Sequence, residues 1–279
     1  MKRRTFLTTA LSTVAAGFVP LSGAAEGRHA PTGYLRTNWS RDPYSFGSYS
    51  YVARGARRRD HAILGKPVGD RLFFAGEAAH PDYNSTVHAA YESGLIAAEA
   101  IYDTTDAETV AIVGAGASGL AAALWRTDED YDVTVLEARR RTGGRIWTDR
   151  SLGMPLDLGA SWIHGTSGNP LMELAVVQGL STRATGESYV IRGGDGREMS
   201  DADAPAWLEN VAEVQHSLGA DARDVNGSAY WADTDYEGEE RILPGGYDRL
   251  LGGIADGLDI RFEHVVTRVD VGEDGVRLQ

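Results

Sequence analysis

Short apolar runs and one helix-forming stretch follow each other through the centre of the chain. Val110–Val113 is an apolar run followed by glycine, Leu120–Trp125 is rich in helix formers, and Asp132–Leu136 is a second, mainly apolar run. Short continuous apolar runs are typical of strands buried on both faces, as the strands of parallel sheets are. The order of these segments predicts a parallel strand–helix–strand unit.

A second strand and helix are predicted before this unit. Leu72–Ala75 is a short apolar run, and apolar residues recur at helical spacing from Val87 to Tyr102. The polar segment Asp103–Glu108 then leads to Val110. A strand, a helix and a parallel strand in this order form an ordinary right-handed crossover with a connector of usual length. Both strands would end at one edge of the sheet, where open α/β sheets bind ligands.

Further elements are predicted in the C-terminal part of the chain. Pro205–Leu218 is compatible with a helix, because proline is tolerated at the first helical position. A helix over Asp248–Ile254 precedes two strands, Ile260–Phe262 and Val265–Val271, and a further strand begins at Gly275–Leu278. The predicted fold class is therefore α/β with a parallel sheet and a second, partial domain.

A glycine motif with the spacing G-x-G-x-x-G lies between the first central strand and its helix. Gly114 permits a tight turn, Gly116 lets a pyrophosphate approach the backbone, and Gly119 lets the helix pack closely on the strand. The helix N-terminus offers free N–H groups to phosphates. Glu137 ends the second strand about 20 residues later, where a carboxylate can bind a ribose hydroxyl. The two motif residues between the second and third glycines are Ala117 and Ser118.

The residues after Glu137 narrow the cofactor. They continue as Ala138 and Arg139, and then as Gly143, Gly144 and Arg145, in the pattern E-A-R-x-x-x-G-G-R. This pattern resembles the flavin-containing amine oxidases, the group of monoamine, polyamine and spermine oxidases. The resemblance implies a Rossmann-like domain that binds FAD, with the arginines beside the pyrophosphate, whereas an NAD dehydrogenase would not need the extension.

The N-terminal part of the chain resembles the same family in an unexpected order. The similar stretches are Trp39–Tyr44, Gly47–Tyr51, Arg71–Glu77 and Asn84–Gly94, which in the family lie at the C-terminal end, after the glycine motif. The chain is therefore predicted to be a circular permutation or a rearranged piece of such an enzyme. By resemblance, Gly76 and Glu77 contact the phosphate and ribitol region of FAD, and Val87 lies beside the isoalloxazine ring.

Three positions bear on the substrate and on the flavin linkage. By resemblance, Tyr49 is one member of the aromatic pair that flanks the amine in monoamine oxidases, and Thr86 occupies the position of the second member. Without the resemblance, Tyr49 is equally an ordinary half-buried strand tyrosine. Ser48 stands where monoamine oxidases carry the cysteine bonded to FAD, so FAD is expected to bind non-covalently.

The stretch Leu156–Gly165, which contains the run W-I-H-G, resembles the spermine and polyamine oxidases. The resemblance implies that His164 faces the substrate. A lone histidine is usually a surface or core residue, but the W-I-H-G run favours a role in binding or deprotonating an amine. The backbone near Val266 is expected to contact the adenine. The residues expected to pass along the flavin ring are Gly159, Ala160, Ser161 and Trp162.

Composition limits the alternatives. The 279 residues carry a formal net charge of -13, which disfavours nucleic acid as a partner. An acidic surface attracts cationic ligands, but the more usual role of such a surface is solubility alone. The chain has no cysteine, so it has no disulfide, no thiolate metal site and no cysteinyl flavin link. No metal-ligand spacing, P-loop or G-x-S-x-G motif is found in the sequence.

The N-terminus predicts an export signal over residues 1–25. Arg3, Arg4, Phe6 and Leu7 form a twin-arginine arrangement, and the apolar stretch Phe6–Val19 is too short to span a bilayer. The twin-arginine route exports folded proteins with their cofactors, so a periplasmic or secreted location is expected. No membrane span is expected in the mature chain.

Five regions are predicted from these observations: the signal peptide (1–25), an FAD-domain segment (26–105), the Rossmann FAD-binding core (106–180), a partial substrate-binding domain (181–240) and a truncated return to the FAD domain (241–279). The favoured function is oxidation of a polyamine-like primary or secondary amine, with hydride transfer to flavin N5 and reduction of O2 to H2O2. Two alternatives stay open. One is an FAD-binding fragment or subunit completed by a partner chain, because neither Lys2 nor Lys66 matches the family's lysine near N5; the other is an L-amino-acid oxidase.

Overall fold

The computed structural model describes residues 31–127, 131–186, 190–200, 202–205, 208, 214–215, 217–230, 236–272 and 275–279. The chain divides into a unit of residues 1–35 and a unit of residues 36–279. Of the first unit, residues 31–35 are described, and they contain no helix or strand. The second unit carries all the elements named below.

The helices are α1 (Arg58–Leu64), α2 (Val87–Thr104), α3 (Ala117–Thr127), α4 (Pro170–Val177), α5 (Gly227–Tyr230) and α6 (Arg249–Ala255). The strands are β1 (Thr109–Val113), β2 (Asp132–Glu137), β3 (Thr148–Asp149), β4 (Leu156–Asp157), β5 (Trp162–Ile163), β6 (Arg183–Ala184), β7 (Ile191–Arg192), β8 (Glu198–Met199), β9 (Arg241–Ile242), β10 (Ile260–Phe262), β11 (Val269–Gly272) and β12 (Gly275–Leu278).

A parallel sheet of β1, β2 and β10 forms the centre of the fold, with β2 in the middle. β1 pairs with β2 from Thr109 opposite Asp132 to Val113 opposite Leu136. β10 pairs with β2 on the other side, with Ile260 opposite Val135. The structure thus confirms an α/β fold with a parallel sheet and the predicted unit of β1, α3 and β2.

Helix α3 packs on this sheet, and α2 packs closely against α3. α2 confirms the helix predicted from Val87 and extends it to Thr104. α2 and α3 approach so closely that a Cβ atom on Gly94 would overlap the carbonyl oxygen of Ser118. Leu120 of α3 and Leu250 of α6 are fully buried in the same apolar core. Small residues at the helix contact therefore set the spacing at which the core closes.

The strand predicted over Leu72–Ala75 is wrong. Leu72 forms only an isolated antiparallel bridge with Val68, in which the Val68 N–H donates to the Leu72 carbonyl at 2.9 Å. This bridge turns the segment back on itself, so its backbone is not presented to β1. Phe73 and Phe74 instead line a groove beside α1 and α2. The predicted crossover from this segment into β1 is consequently not a sheet crossover.

The strand predicted over Val265–Val271 is shorter than expected, since β11 covers only its C-terminal end. Glu263 and His264 donate their backbone N–H groups to the carbonyls of Arg139 and Glu137, at 3.1 and 2.9 Å. Glu263 also has a positive φ of 60°. These contacts hold the chain at the end of β2, so the next strand begins later than predicted, at Val269. β11 then forms an antiparallel hairpin with β12, the strand predicted at Gly275.

Two predictions fall on parts of the chain outside the described residues. The export signal over residues 1–25 lies wholly outside them, and the helix over Pro205–Leu218 lies mostly outside them. The helix predicted over Asp248–Ile254 is confirmed as α6, one residue later. Within the described part of the chain, no helix has the length and apolar character required to cross a bilayer.

Candidate dinucleotide-binding and active site

The glycine motif forms the turn from β1 into α3. Gly114 has a φ of 102°, and its N–H donates to the Leu136 carbonyl at 2.8 Å, which joins the turn to the end of β2. A Cβ atom on Gly119 would overlap the Gly114 carbonyl oxygen, so only glycine permits this packing. A Cβ atom on Gly116 would meet no atom within 4 Å. Gly116 therefore faces open space, as a phosphate-binding position requires. Ala117 and Ser118 form the first turn of α3.

Glu137 is buried at the end of β2, with 5% of its surface exposed. Its Oε2 accepts the Ala115 N–H at 2.7 Å, and its Oε1 accepts the Arg139 N–H at 2.8 Å. The carboxylate thus closes the glycine turn onto β2, a role that the sequence did not indicate. An ionised carboxylate has about four acceptor positions, so Glu137 can still accept a ribose hydroxyl. Ala138 lies between these two anchored residues.

The second glycine run docks directly against the first. The Gly143 N–H donates to the Ala115 carbonyl at 2.8 Å, and Gly143 forms a parallel bridge with Gly116. Gly144, with a φ of 58°, has its Cβ position 3.8 Å from the Gly116 Cα. The pattern E-A-R-x-x-x-G-G-R and the glycine motif therefore form one continuous backbone surface.

Arg139, one of the two arginines expected beside the pyrophosphate, is paired with a carboxylate of the N-terminal part. It binds both oxygens of Asp42, at 2.9 and 2.6 Å, and also donates to Ser45. These hydrogen bonds lower the pKa of Asp42 to about 2. The guanidinium also lies over the Tyr44 ring, 5.1 Å from its centroid. Asp42 and Tyr44 belong to a stretch noted for its resemblance, but this pairing was not predicted.

Arg145 is paired in the same way with Glu77, at 2.6 Å, and it also donates to the Ser48 carbonyl at 3.1 Å. Glu77 is buried, and it accepts the N–H groups of Ser50 and Ser85 at 3.0 and 2.8 Å. Burial opposes ionisation of Glu77, but Arg145 and these hydrogen bonds outweigh it, so the pKa of Glu77 is lowered. Gly76 precedes it with a φ of 151°. The structure therefore brings Gly76 and Glu77 to the second glycine run.

Thr86 and Val87 begin α2. Thr86 is the N-cap: its Oγ1 accepts the Ala89 N–H at 3.1 Å and donates to the Tyr83 carbonyl at 2.8 Å. These contacts are those of a helix cap, and they account for the residue independently of any substrate contact. Val87 is partly buried against the apolar core.

The stretch Gly159–Trp162 crosses the backbone of Arg145. A Cβ atom on Gly159 would overlap the Arg145 carbonyl oxygen, and the Ala160 N–H donates to that oxygen at 3.3 Å. Ser161 leads into β5, where Trp162 is about half exposed and its carbonyl accepts the buried Tyr247 hydroxyl at 2.8 Å. These predicted flavin-side residues are therefore adjacent to Arg145.

His164 lies just after β5 and contacts a carboxylate from a distant part of the chain. Its Nδ1 is 2.7 Å from Oε2 of Glu240, the residue before β9. Its carbonyl accepts a hydrogen bond from the Asn169 side chain at 2.8 Å, and Asn169 caps α4. Sequence reasoning missed Glu240, because the two side chains are 76 positions apart and no local pattern joins them.

Tyr49 and Val266 lie at other edges of this surface. The half-buried Tyr49 has its hydroxyl 3.5 Å from the Cβ position of Gly219, in the predicted substrate-binding domain. Burial raises the pKa of Tyr49. Val266 is partly buried two residues after His264, whose N–H donates to the Glu137 carbonyl. Val266 thus follows closely on the acidic end of β2, where adenine is expected.

A buried cluster of aromatic rings and histidines was also missed. Tyr83 and Tyr236 stack with ring centroids 5.0 Å apart, and His88 packs edge-on against both rings. The Tyr236 hydroxyl donates to Glu92 on α2 at 2.6 Å. Burial is the main cause, and together with unfavourable electrostatic interactions with His164 and His80 it lowers the pKa of His88 to about 3. His88 is therefore neutral at physiological pH.

A glycine turn, a helix N-terminus and an acidic residue at the end of the next strand define a dinucleotide-binding protein of the Rossmann type. The chain belongs to the family of flavin containing amine oxidoreductases, whose model matches residues 8–102, 117–224 and 193–279. This confirms the resemblance inferred from the sequence, and the family takes a flavin cofactor.

Relatives agree with this assignment, and a solved structure has a similar fold. The chain is 28% identical over 235 residues to "Polyamine oxidase 2" of Arabidopsis thaliana, which covers 62% of this chain and 48% of that protein. It is 28% identical over 221 residues to "Polyamine oxidase 5" of Oryza sativa subsp. japonica, covering 58% and 45%. "Cyclohexylamine Oxidase from Brevibacterium oxydans IH-35A" has a similar fold, with a TM-score of 0.50, 23% identity and coverage of 63% and 55%. The chain thus spans about half the length of the proteins it matches.

Proposed function

We propose that this chain is an FAD-dependent amine oxidase that binds FAD non-covalently and oxidises a primary or secondary, polyamine-like amine. The observation that carries the proposal is the continuous surface formed by the glycine turn, Glu137 and the second glycine run. Gly116 leaves open space where a phosphate must approach, and Glu137 presents a fixed carboxylate at the next strand. The donor set therefore fits a dinucleotide.

The residues of this chain bind, orient and hold protons, while the cofactor supplies the redox chemistry. Bound FAD would supply the redox chemistry, namely acceptance at N5 of a hydride from the amine α-carbon and reduction of O2 to H2O2. The N-terminus of α3 holds phosphate oxygens. Because Gly159 has no side chain, the stretch Gly159–Trp162 lies close to Arg145. The side chain of His164 is exposed enough to contact an amine. We assign to His164 the binding or deprotonation of that amine.

An anaerobic titration tests the proposal. The purified chain is expected to show flavin absorption bands, and spermine added without oxygen is expected to bleach them. Trichloroacetic acid should release the flavin into the supernatant, since the attachment is non-covalent. Bands that spermine leaves unchanged but an L-amino acid bleaches would indicate an L-amino-acid oxidase instead.

A second candidate is an FAD-binding subunit that is active only with a partner chain carrying the rest of a substrate-binding domain. The supporting observation is the coverage of 48% of "Polyamine oxidase 2". In addition, Lys66 is exposed beside a groove at α1. Flavin bands that neither amines nor amino acids bleach would favour this candidate.

We also propose that the altered order of the family blocks and the export of the chain are genuine. The contacts of Arg139 with Asp42 and of Arg145 with Glu77 support the order, because these two N-terminal carboxylates bind arginines beside the glycine turn. Tandem mass spectrometry of peptides that span the connector Asp103–Glu108, from protein purified from its natural source, tests the order. Recovery of a folded, shortened chain outside the cytoplasm, abolished by Arg3→Lys together with Arg4→Lys, tests the twin-arginine export.

A further inference from the structure

We propose that Glu240 is a positioning residue of the active site, which fixes the imidazole of His164 so that Nε2 presents its lone pair to the amine. This inference rests on the proposed function. It assigns a role to a residue that lies far from His164 in sequence. Four observations on the pair and its surroundings support it.

The first observation is the direct contact. His164 Nδ1 and Glu240 Oε2 are 2.7 Å apart, and the two side chains are 42% and 39% exposed. An ionised carboxylate can only accept a hydrogen bond, so Nδ1 must donate. In a neutral imidazole the other nitrogen, Nε2, is then an acceptor. Among the residues that the structure describes, none makes a hydrogen bond to Nε2.

The second observation is that the backbone holds the two residues at the adjoining ends of neighbouring strands. β5 and β9 are antiparallel, with Ile163 opposite Arg241, so His164 and Glu240 follow directly from a paired position. The Glu240 carbonyl also accepts the Thr185 N–H at 2.9 Å. Because the backbone is fixed on both sides, the carboxylate needs to lose little additional freedom to hold the ring.

The third observation is a second anchor on the segment that carries Glu240. The Glu237 carbonyl accepts the N–H groups of Thr166 and Ser167, at 2.9 and 2.8 Å. The Tyr236 side chain then binds Glu92 on α2 through its hydroxyl. The loop after His164 is therefore tied to the same helix whose N-terminus lies at Thr86.

The fourth observation is the neighbouring acid, which makes different contacts. Glu239 is 61% exposed and pairs with Arg241, and its carboxylate has a cation as its partner rather than the imidazole. Two adjacent carboxylates therefore have different partners. The chain itself provides a control for the role of Glu240.

The chemical step follows from this arrangement. An alkyl amine is mostly an ammonium ion at neutral pH, whereas its oxidation requires a free nitrogen lone pair. The N–H bond of the ammonium breaks, its electron pair returns to the nitrogen, and the proton forms a bond with Nε2. The resulting imidazolium keeps its Nδ1–H on Glu240, whose negative charge stabilises it.

The test uses the full chain and begins with the tautomer, which is measured independently of activity. ¹⁵N NMR spectra of the imidazole are recorded for the wild type, Glu240→Gln and Glu239→Gln, and the His164 signals are assigned by their loss in His164→Asn. We expect one neutral tautomer with the proton on Nδ1 in the wild type and in Glu239→Gln. We expect a mixture in Glu240→Gln, because an amide can donate as well as accept.

Flavin reduction by spermine supplies the second measurement. With flavin content unchanged, the reduction rate at saturating amine is expected to fall about tenfold in Glu240→Gln, to recover partly in Glu240→Asp and to stay unchanged in Glu239→Gln. An unaltered tautomer in Glu240→Gln would overturn the inference. If the wild type shows the expected tautomer but no amine reduces its flavin, the proposed function fails while the positioning contact stands.

Discussion

The surface around Gly114 and the surface around His164 are assembled differently. The first comes mainly from one continuous stretch, residues 109–145, and its contacts are largely made by backbone groups. The second joins α2, the loop after β5 and the segment before β9, and it depends on side-chain contacts such as those of Glu240 and Tyr236. The backbone surface around Gly114 is therefore encoded locally, whereas the surface around His164 depends on parts of the chain that meet only after folding.

Residues 39–94, which resemble the C-terminal end of the family, connect these two surfaces. Asp42 and Glu77 neutralise Arg139 and Arg145, so charges that the resemblance places beside a pyrophosphate are already paired. Glu77 is buried, so it cannot lose Arg145 without a large cost, and the partly buried Asp42 and Arg139 also depend on each other. The surface around Gly114 thus combines the backbone of residues 109–145 with ion pairs to the distant residues Asp42 and Glu77.

The largest effect is expected at the glycine turn. Gly119→Val should lower the free energy of unfolding by about 3 kcal/mol or more, because its side chain would displace the Gly114 carbonyl. Gly116→Ala, at a position with open space, should change stability by less than about 1 kcal/mol but reduce flavin retention. Urea unfolding and flavin absorbance measure both. Equal losses of stability in the two variants would show that the close packing of Gly119 against Gly114 does not stabilise the fold.

Two adjacent arginines, Arg139 and Arg140, test how much the ion pair with Asp42 stabilises the fold. Arg139→Gln should lower the free energy of unfolding by about 2 kcal/mol, since Asp42 would lose both of its guanidinium hydrogen bonds. Arg140→Gln should change it by less than about 0.5 kcal/mol, because Arg140 and Glu263 form an exposed pair. Urea unfolding of both variants is the measurement. A similar loss in both would show that the pairing with Asp42 is not special.

Acid should weaken the same pair. The pKa of Asp42 falls from 3.8 to about 2 on folding, so the folded state binds fewer protons in this range. Its stabilising contribution is present above about pH 4 and is lost as the pH falls towards about 2. The difference in urea midpoint between wild type and Asp42→Asn should therefore shrink across this window. A constant difference would remove Asp42 as the titrating group.

The smallest effect is expected at Tyr236. Tyr236→Phe should cost about 1 kcal/mol, the usual worth of one hydrogen bond, because Glu92 loses a donor. Amide exchange at Thr166 and Ser167, which donate to Glu237, should rise several-fold while β1 and β2 stay protected. Tyr34→Phe, at an exposed position, is the control. Equal amide exchange in Tyr236→Phe and the wild type would show that the hydrogen bond from Tyr236 to Glu92 does not stabilise the loop after His164.

Errors in the sequence predictions share a physical cause. Leu72–Ala75 has the composition of a strand, but its bridge to Val68 turns it away from the sheet. Val265–Val271 is also apolar enough, yet the contacts of Glu263 and His264 with the end of β2 shorten the strand. Apolar runs report burial and not pairing, so sequence periodicity cannot distinguish a laddered strand from an extended, packed segment.

By itself, the sequence determined the unit of β1, α3 and β2, the glycine turn and the acidic end of β2. Each depends on residues within about 30 positions and on backbone geometry that only glycine permits, so local physics suffices. Only the tertiary structure decided the partners of Arg139 and Arg145 and the contact of Glu240 with His164. Those contacts join residues 68 to 97 positions apart, and no local periodicity encodes which distant side chains meet.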